Sequence, residues 1–331
     1  MTKSALNPQG EQMADESMVR TLAAQIEAIW PQEKALINFY RLPRNARVLD
    51  VGAGTGEFSA KMAELLPEAQ VLGVELLAAS VNHASDRYAA LAPRLKFETG
   101  DAFHLAQPDN TFDLVANRHM IQSVPHVDRI LSELVRVAKP GGRVHVLAED
   151  YSMLHMMSGP LDPDVFWRKG PVEFSIRTDT DSRIGRRAWT LLREAGLIDV
   201  RVDYVVVDTL RVPRRVFADI ITAWRDGYVN ALATAEFPAT TVRQHFNEII
   251  ASILNPDHYA VWQVPIVSGM KPRAFPGASA TSENAVFPGA SATKENAVFP
   301  GASATSENAG EAPASIRVSN SRTSLALSAA A

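Results

Sequence analysis

Between residues 45 and 270, short apolar runs alternate with amphipathic stretches. ARVLDV (46–51), AQVLGV (69–74), LKFETG (95–100), FDLVAN (112–117) and RVHVLAE (143–149) each read as a strand bounded by polar or glycine-bearing turns. The intervening segments carry helical periodicity. Glu57–Leu66 turns Phe58, Met62, Leu65 and Leu66 inward, a helix lies near Ala78–Ala90, and Asp128–Ala138 gathers Ile130, Leu131, Leu134 and Val135 on one side. Lys139-Pro140-Gly141-Gly142 is a stop signal after the last of these. Strands and helices of such lengths in alternation predict βαβ units, a parallel sheet and helices on both faces. Further on, Arg186–Gly196, Arg214–Leu232 and Thr241–Leu254 are helical, while Asp199–Leu210 and Tyr259–Ser268 are β-rich.

The flanks differ from this core. Val19, Leu22, Ala23, Ile26, Ile29 and Trp30 fall on one helical face. Pro31 is expected to end that helix or start the next, with a second helix from Gln32 to Tyr40. Residues 1–42 are thus a helical N-terminal cap on a 43–272 α/β domain, whose segments 151–183 and 213–256 are inserted as lids. At the other end, AFPGASATSENA, VFPGASATKENA and VFPGASATSENA follow one another in a tandem repeat of period 12. Each unit has a single Phe and is otherwise small or polar, too little apolar surface to offset the entropy of ordering its backbone. Residues 273–331 are therefore expected to be a disordered low-complexity tail. Phe275, Phe287 and Phe299 either serve as stickers for a partner or record tandem duplication without a role.

Composition narrows the function. Of 331 residues, 46% are hydrophobic and 21% charged, as in an ordinary soluble domain, and the formal net charge of −4 weighs against a nucleic-acid partner. There is no cysteine, which excludes disulfides, cysteine-ligated zinc and thiolate nucleophiles. No apolar run approaches the roughly 20 residues of a membrane-spanning helix, and the polar Met1–Gly10 does not resemble a secretory signal. The expectation is a cytoplasmic protein with no membrane partner.

Candidate chemistry concentrates at Asp50-Val51-Gly52-Ala53-Gly54-Thr55-Gly56-Glu57, where a buried strand runs through three glycines into a helix. Such a loop at the carboxyl end of the first strand lets a ligand approach the backbone closely. A dinucleotide fingerprint requires G-x-G-x-x-G. Counting from Gly52, the sixth position is Glu57, a carboxylate that would repel a pyrophosphate. The spacing is G-x-G-x-G with Asp50 two residues ahead, and an acid there suits a cationic ligand end such as an amino group or a sulfonium. Taken alone, Asp50 serves equally as a cap for loop N–H groups.

These residues resemble the first motif of the class I S-adenosylmethionine-dependent methyltransferases, and the likeness continues in order. Glu75 ends strand two, Gly100-Asp101-Ala102 follows strand three, Asp113-Leu114-Val115 and Asn117 form strand four and its end, and Lys139-Pro140-Gly141-Gly142 precedes strand five. The resemblance covers roughly residues 20–270. It implies a Rossmann-like, doubly wound, seven-stranded, mostly parallel sheet with an antiparallel last strand, and S-adenosylmethionine as cofactor. It places Gly52, Ala53, Gly54, Thr55 and Gly56 under the methionine moiety and has Asp50 position the amino group, directly or through water. Glu75 and its neighbour Leu76 lie at the ribose, Asp101 and Ala102 at the adenine, and Asn117 and Arg118 at the end of strand four. Without the resemblance, Glu75 reads as an exposed strand end and Asp101 as a turn residue.

The acceptor side is less marked. His119 after strand four is the first candidate base, since a neutral imidazole titrates near neutrality; a hydrogen-bonded structural histidine fits the sequence as well. Glu149 and Asp150 after strand five complete the catalytic candidates, one expected to face the pocket and the other to serve packing. With His119 and His155 they show no metal-ligand spacing, and no metal is expected. Strand four lacks the Asn-Pro-Pro-aromatic motif of amino-group DNA and protein-glutamine methyltransferases, and the paired-glutamate loop of arginine methyltransferases is not evident. A small-molecule enzyme of the ubiquinone/menaquinone-biosynthesis type remains, although Ser123 stands before Val124-Pro125 where many relatives carry histidine. The insertion holds Met153, Met156 and Met157 with Tyr151, Phe166, Trp167 and Phe174, which suits an apolar or aromatic acceptor or simply packs a lid. Two other readings remain in view. One is an interaction module that binds cofactor and works through its tail; the other is a nicotinamide-dependent oxidoreductase, against which Glu57 argues.

Overall fold

A computed structural model describes residues 7–13, 16–157 and 159–273. The tandem repeats and their three phenylalanines lie outside the described residues. Helix α1 (Glu16–Phe39) leads into β1 (Arg47–Val51), α2 (Glu57–Leu65), β2 (Gln70–Glu75), α3 (Ala78–Arg87), β3 (Leu95–Thr99), β4 (Phe112–Arg118), α4 (Val127–Val137) and β5 (Ala138–Leu147). The second half contains β6 (Leu154–Met156), α5 (Pro163–Trp167), α6 (Glu173–Arg177), α7 (Ala188–Glu194), β7 (Ile198–Asp208), α8 (Arg214–Leu232), α9 (Ala239–Leu254) and β8 (Ala260–Met270).

The strands form one sheet in the order β3-β2-β1-β4-β5-β8, with β7 beyond β8. β1 pairs in parallel with β2 and β4, and β4 in parallel with β5, while β8 runs antiparallel to both β5 and β7. Val48, Leu49 and Val51 of β1 and Leu114, Val115 and Ala116 of β4 are fully buried, as continuous apolar strands covered on both faces must be. Helix α4 packs Ile130, Leu131, Leu134 and Val137 against Leu49, Val51 and Val115, while Val48, Leu114 and Ala116 join a second cluster with Phe58 and Met62 of α2.

Three local expectations are corrected. First, the sheet has eight strands among the described residues. The extra one, β6, is three residues long and too short for its alternation to be seen. It pairs with Ala260–Trp262 at the start of β8, while β5 pairs with Ile266–Met270 at its end, so one long strand bridges two shorter ones. Second, Pro31 does not interrupt α1. Its ring lies on the exposed side, and Glu27, whose carbonyl loses its helical partner there, faces water. Buried Ile29, Glu33 and Ile37 on the opposite side hold the helix straight through. Third, Lys139-Pro140-Gly141-Gly142 forms a bulge inside β5 rather than a turn before it. Pairing with β4 jumps from Phe112↔Ala138 to Leu114↔Arg143, with Gly141 at φ +81°.

Helices α1 and α8 pack on each other beside the carboxyl ends of β1, β4 and β5. Their contact places the N-terminal helix over the edge of the sheet where the glycine loop emerges. No helix of the described residues is long and apolar enough to cross a membrane.

Candidate active site

A cleft opens at the carboxyl ends of β1 to β5 and encloses about 1240 Å³ of empty space, its mouth included. Its first wall is the loop after β1. Gly52, Gly54 and Gly56 all take left-handed backbone, with φ of +76°, +56° and +87°. A Cβ on Gly54 would stand 2.7 Å from Leu22 Cδ1 and one on Gly52 would stand 2.8 Å from Met120 Sδ, so both glycines leave open the space the cleft uses. Gly56 instead packs under the Phe97 ring.

Glu75 braces this loop. Its Oε2 accepts from Gly54 N–H at 2.9 Å and its Oε1 from Leu77 N–H at 3.0 Å. An ionised carboxylate has about four acceptor positions, so two remain for a ligand on the cleft side. Asp101 also lines the cleft. Its Oδ1 caps Phe103 N–H at 2.9 Å, which orients the side chain and leaves Oδ2 for another donor. Leu76 and Ala102 stand beside these two acids.

Behind the loop lies a smaller chamber of about 320 Å³, lined by Asp50, Ala53, Glu57 and Arg118 among others. Asp50 lies there and not in the main cleft. It accepts from Ser59 Oγ at 2.6 Å, and burial pushes its carboxyl up to about 6. Glu57 is occupied inside the fold, taking Thr55 Oγ1 and Arg87 at 2.7 Å each. Asn117 and Thr55 line neither space. Asn117 spends its amide on Val51 carbonyl at 2.7 Å and so ties the ends of β1 and β4 together.

The far wall of the cleft holds His119 and Glu149. His119 adopts left-handed backbone (φ +52°), which aims its ring back across the strand ends. Its Nδ1 donates to Glu149 Oε1. Glu149 is 1% exposed, and Gln122 Nε2 reaches its Oε2 at 3.2 Å while Gln25 Nε2 reaches its Oε1 at 3.4 Å. With Nδ1 committed to a carboxylate, the neutral imidazole presents an acceptor at Nε2, and that atom is buried with no partner. A proton acceptor held by an anion and shielded from water is the arrangement general-base chemistry needs.

The chain stays extended through Asp150, which points away from the cleft into a bidentate pair with Arg186 at 2.7 and 2.9 Å, while also capping Ser152 N–H. It is a structural carboxylate. Replacing it with alanine removes a buried acceptor from a half-exposed arginine, so Asp150→Ala is expected to cost about 1–3 kcal/mol of stability. Thermal melts should fall accordingly, while cofactor-analogue titrations of the same variant should match the parent protein.

Several lining residues escaped the sequence. Gln25, on the buried side of α1, lies four positions after Thr21, so the two polar residues form a stripe beside the apolar one. That interruption of an otherwise apolar surface was the available signal. Gln122, Met120 and Phe103 lie in loops without periodicity, where no such signal exists.

Residues 48–142 match the methyltransferase domain family. A demethylmenaquinone methyltransferase of Deinococcus radiodurans is 31% identical over 128 residues, covering 39% of this chain and 52% of that protein. A ubiquinone/menaquinone biosynthesis C-methyltransferase of Pseudomonas entomophila is 34% identical over 119 residues, covering 35% and 46%. The chain thus spans about half the length of the curated relatives it matches. A solved phosphoethanolamine N-methyltransferase 2 of Haemonchus contortus, in complex with S-adenosyl-L-methionine, superposes with a TM-score of 0.47 at 20% identity, covering 74% of this chain and 53% of that one. The methyltransferase match spans β1 through the bulge of β5, and so includes the glycine loop, Glu75, Asp101 and His119. The aromatic residues beyond it, on α5, α6 and α8, are particular to the remainder of the chain.

Proposed function

We propose that the protein transfers a methyl group from S-adenosylmethionine to a small, apolar or aromatic acceptor. The observation that carries this reading is the layout of one cleft. A glycine cradle and two acids with unspent oxygens stand at one end, and a partnerless imidazole nitrogen backed by a carboxylate stands at the other. The cofactor fits the residues present. Glu75 offers two free acceptor positions to a pair of vicinal hydroxyls, Asp101 Oδ2 suits an exocyclic amine, and the missing Cβ atoms of Gly52 and Gly54 leave room for the chain between them. The cofactor would supply a methyl group already activated on a sulfonium, so the protein's task is alignment, exclusion of water and removal of the acceptor proton.

His119 Nε2 is the base in this scheme. Glu149 fixes the ring through Nδ1 and offsets the charge that builds on the imidazole as it takes the proton. The acceptor side is aromatic. An adjoining chamber of about 460 Å³ is walled by Trp167, Phe174, Trp224 and Tyr228 and shares Gln122, Ser123 and Tyr151 with the main cleft. Tyr151 lies parallel to Trp167 at 6.1 Å and edge-on to Trp224 at 5.2 Å. Such walls favour a flat apolar molecule. Burial, reinforced by the Glu149 charge, raises the Tyr151 phenol well above its usual range, so it stays neutral, with its hydroxyl bonded to Glu149 and Gln122.

Isothermal titration with S-adenosylhomocysteine tests the reading most directly. Micromolar binding is expected, and no heat at millimolar ligand would end it. The same titration carries a pH signature. Asp50 is half-protonated near pH 6 in the free protein. An ammonium group bound beside it favours the ionised form, so binding expels a proton below that pH. Affinity should hold above pH 6 and fall as pH drops through it, by up to about tenfold per pH unit. Asp50→Asn should flatten the slope; an equal slope in that variant would remove Asp50 from the ligand.

A further inference from the structure

Helix α1 carries a carboxylate that solvent does not reach. Glu33 is fully buried, and its Oε1 accepts from Arg118 Nε at 2.8 Å and from His145 Nε2 at 3.0 Å. Tyr40, just past the end of the same helix, donates its hydroxyl to His145 Nδ1 at 2.8 Å. His145 thus bridges the two, with Nδ1 against the Tyr40 hydroxyl and Nε2–H donating to Glu33. Burial by itself raises the Glu33 carboxyl, but Arg118 and His145 outweigh it and hold it at about 2. The group is therefore an anion at any working pH.

Arg118 is equally constrained. Its guanidinium lies 4.8 Å from the Phe58 ring centroid, and its Nε is committed to Glu33. A flat ion with one face on a ring and one edge on a carboxylate has a single orientation left. Its Nη2 is nevertheless buried with no hydrogen-bond partner. Arg118 lines the small chamber behind the glycine loop, and so does the buried carboxylate of Asp50. One chamber thus presents an anion and a cation with unspent donors, the charge pattern complementary to an amino-acid zwitterion.

We infer that Glu33 is a positioning residue, aiming Arg118 Nη2 as the group that binds the carboxylate of the cofactor's amino-acid end, while His145 and Tyr40 hold Glu33 in place from the other side. The inference rests on the methyl-transfer reading for the identity of the ligand. It gives the N-terminal helix a task beyond covering the sheet: the cofactor's tail is gripped by a cation that α1 orients.

Two opposing effects decide what removing Glu33 does. A negative charge near the incoming carboxylate disappears, which by charge alone would tighten binding. Arg118 also loses its anchor and is free to turn onto Asp50, the other carboxylate of the chamber, which consumes both halves of the zwitterion site. Loss of affinity in Glu33→Gln therefore reports positioning and not charge.

The test compares S-adenosylhomocysteine with 5′-methylthioadenosine, which keeps the adenosyl group and lacks the amino-acid end, in calorimetric titrations of the full chain. Glu33→Gln and Arg118→Lys are each expected to weaken S-adenosylhomocysteine at least tenfold and to leave methylthioadenosine within twofold. Arg118→Lys keeps the buried charge balance with Glu33, so it carries the test if Glu33→Gln does not fold. Unchanged or tighter S-adenosylhomocysteine binding in Glu33→Gln would overturn the inference, as would equal losses for both ligands in folded Arg118→Lys. Failure of the parent protein to bind either ligand would overturn the cofactor reading beneath it, a result distinct from both.

Discussion

Replacing His119 with asparagine is expected to lower methyl-transfer turnover by about 10²–10⁴-fold, the range a positioned general base contributes. Asparagine is the informative substitution because it tolerates the left-handed backbone His119 occupies, so the loop should keep its course. The affinity for S-adenosylhomocysteine should stay within about twofold, since the imidazole works on the acceptor and not on the adenosyl group. Glu149→Gln should lie between the parent and His119→Asn. A glutamine carbonyl can still accept from Nδ1, which preserves the ring's orientation, but it carries no charge to offset a protonated imidazole. Turnover measured with a labelled cofactor separates these contributions. An unaltered rate in His119→Asn would reduce the histidine to a packing role.

Much of the cleft wall around the glycine loop was legible because its chemistry is local. A glycine loop, the acid closing β2 and the acid following β3 each occupy a position fixed by the strand that precedes it, and the sheet order then brings them to one edge. Parallel strands bury apolar residues on both faces, so their runs are continuous and stand out from polar surroundings. The same logic failed at β6, where three residues are too few to carry a period, and at Pro31, where burial of Glu33 and Ile37 beyond the proline overrode a local helix-breaking signal. Glu149 and Asp150 show the limit most clearly. Adjacent, identically charged and both buried, they point to opposite fates, one in the cleft and one locked to Arg186. The chain is still extended at Asp150, so strand alternation separates the two, but which of them meets the cleft depends on the sheet around β5 and not on any side-chain pattern at the pair. Glu33, Arg118, His145 and Tyr40 were illegible as a group for a related reason. Buried polar networks arise between elements far apart in the chain, and a single acid on a helix reads as a solvated face until its neighbours are known.

On the proposed reading, cofactor binding rests most heavily on Glu75, and its removal should have the larger effect on affinity. Each carboxylate oxygen takes one backbone N–H, from Gly54 and from Leu77, which leaves one acceptor position per oxygen toward the cleft. Two vicinal hydroxyls would each donate a charge-assisted bond there, worth about 1.5–3 kcal/mol apiece. Glu75→Ala should therefore weaken S-adenosylhomocysteine by roughly 10²–10⁴-fold, before any further loss from a loop whose Gly54 N–H is left without its acceptor. Glu75→Gln is a sharper probe than alanine. Its amide nitrogen must oppose one of the two backbone N–H donors or displace it, so one side of the brace opens while the volume is conserved. Its affinity should fall between the parent and alanine variants. Adenosine, which retains both ribose hydroxyls, should show the same rank order as S-adenosylhomocysteine, whereas 2′-deoxyadenosine, which keeps the 3′-hydroxyl and so only one of the two bonds Glu75 accepts, should lose clearly less on the substitution. Equal sensitivity of the two nucleosides would place Glu75 at the loop alone and leave the ribose to another residue.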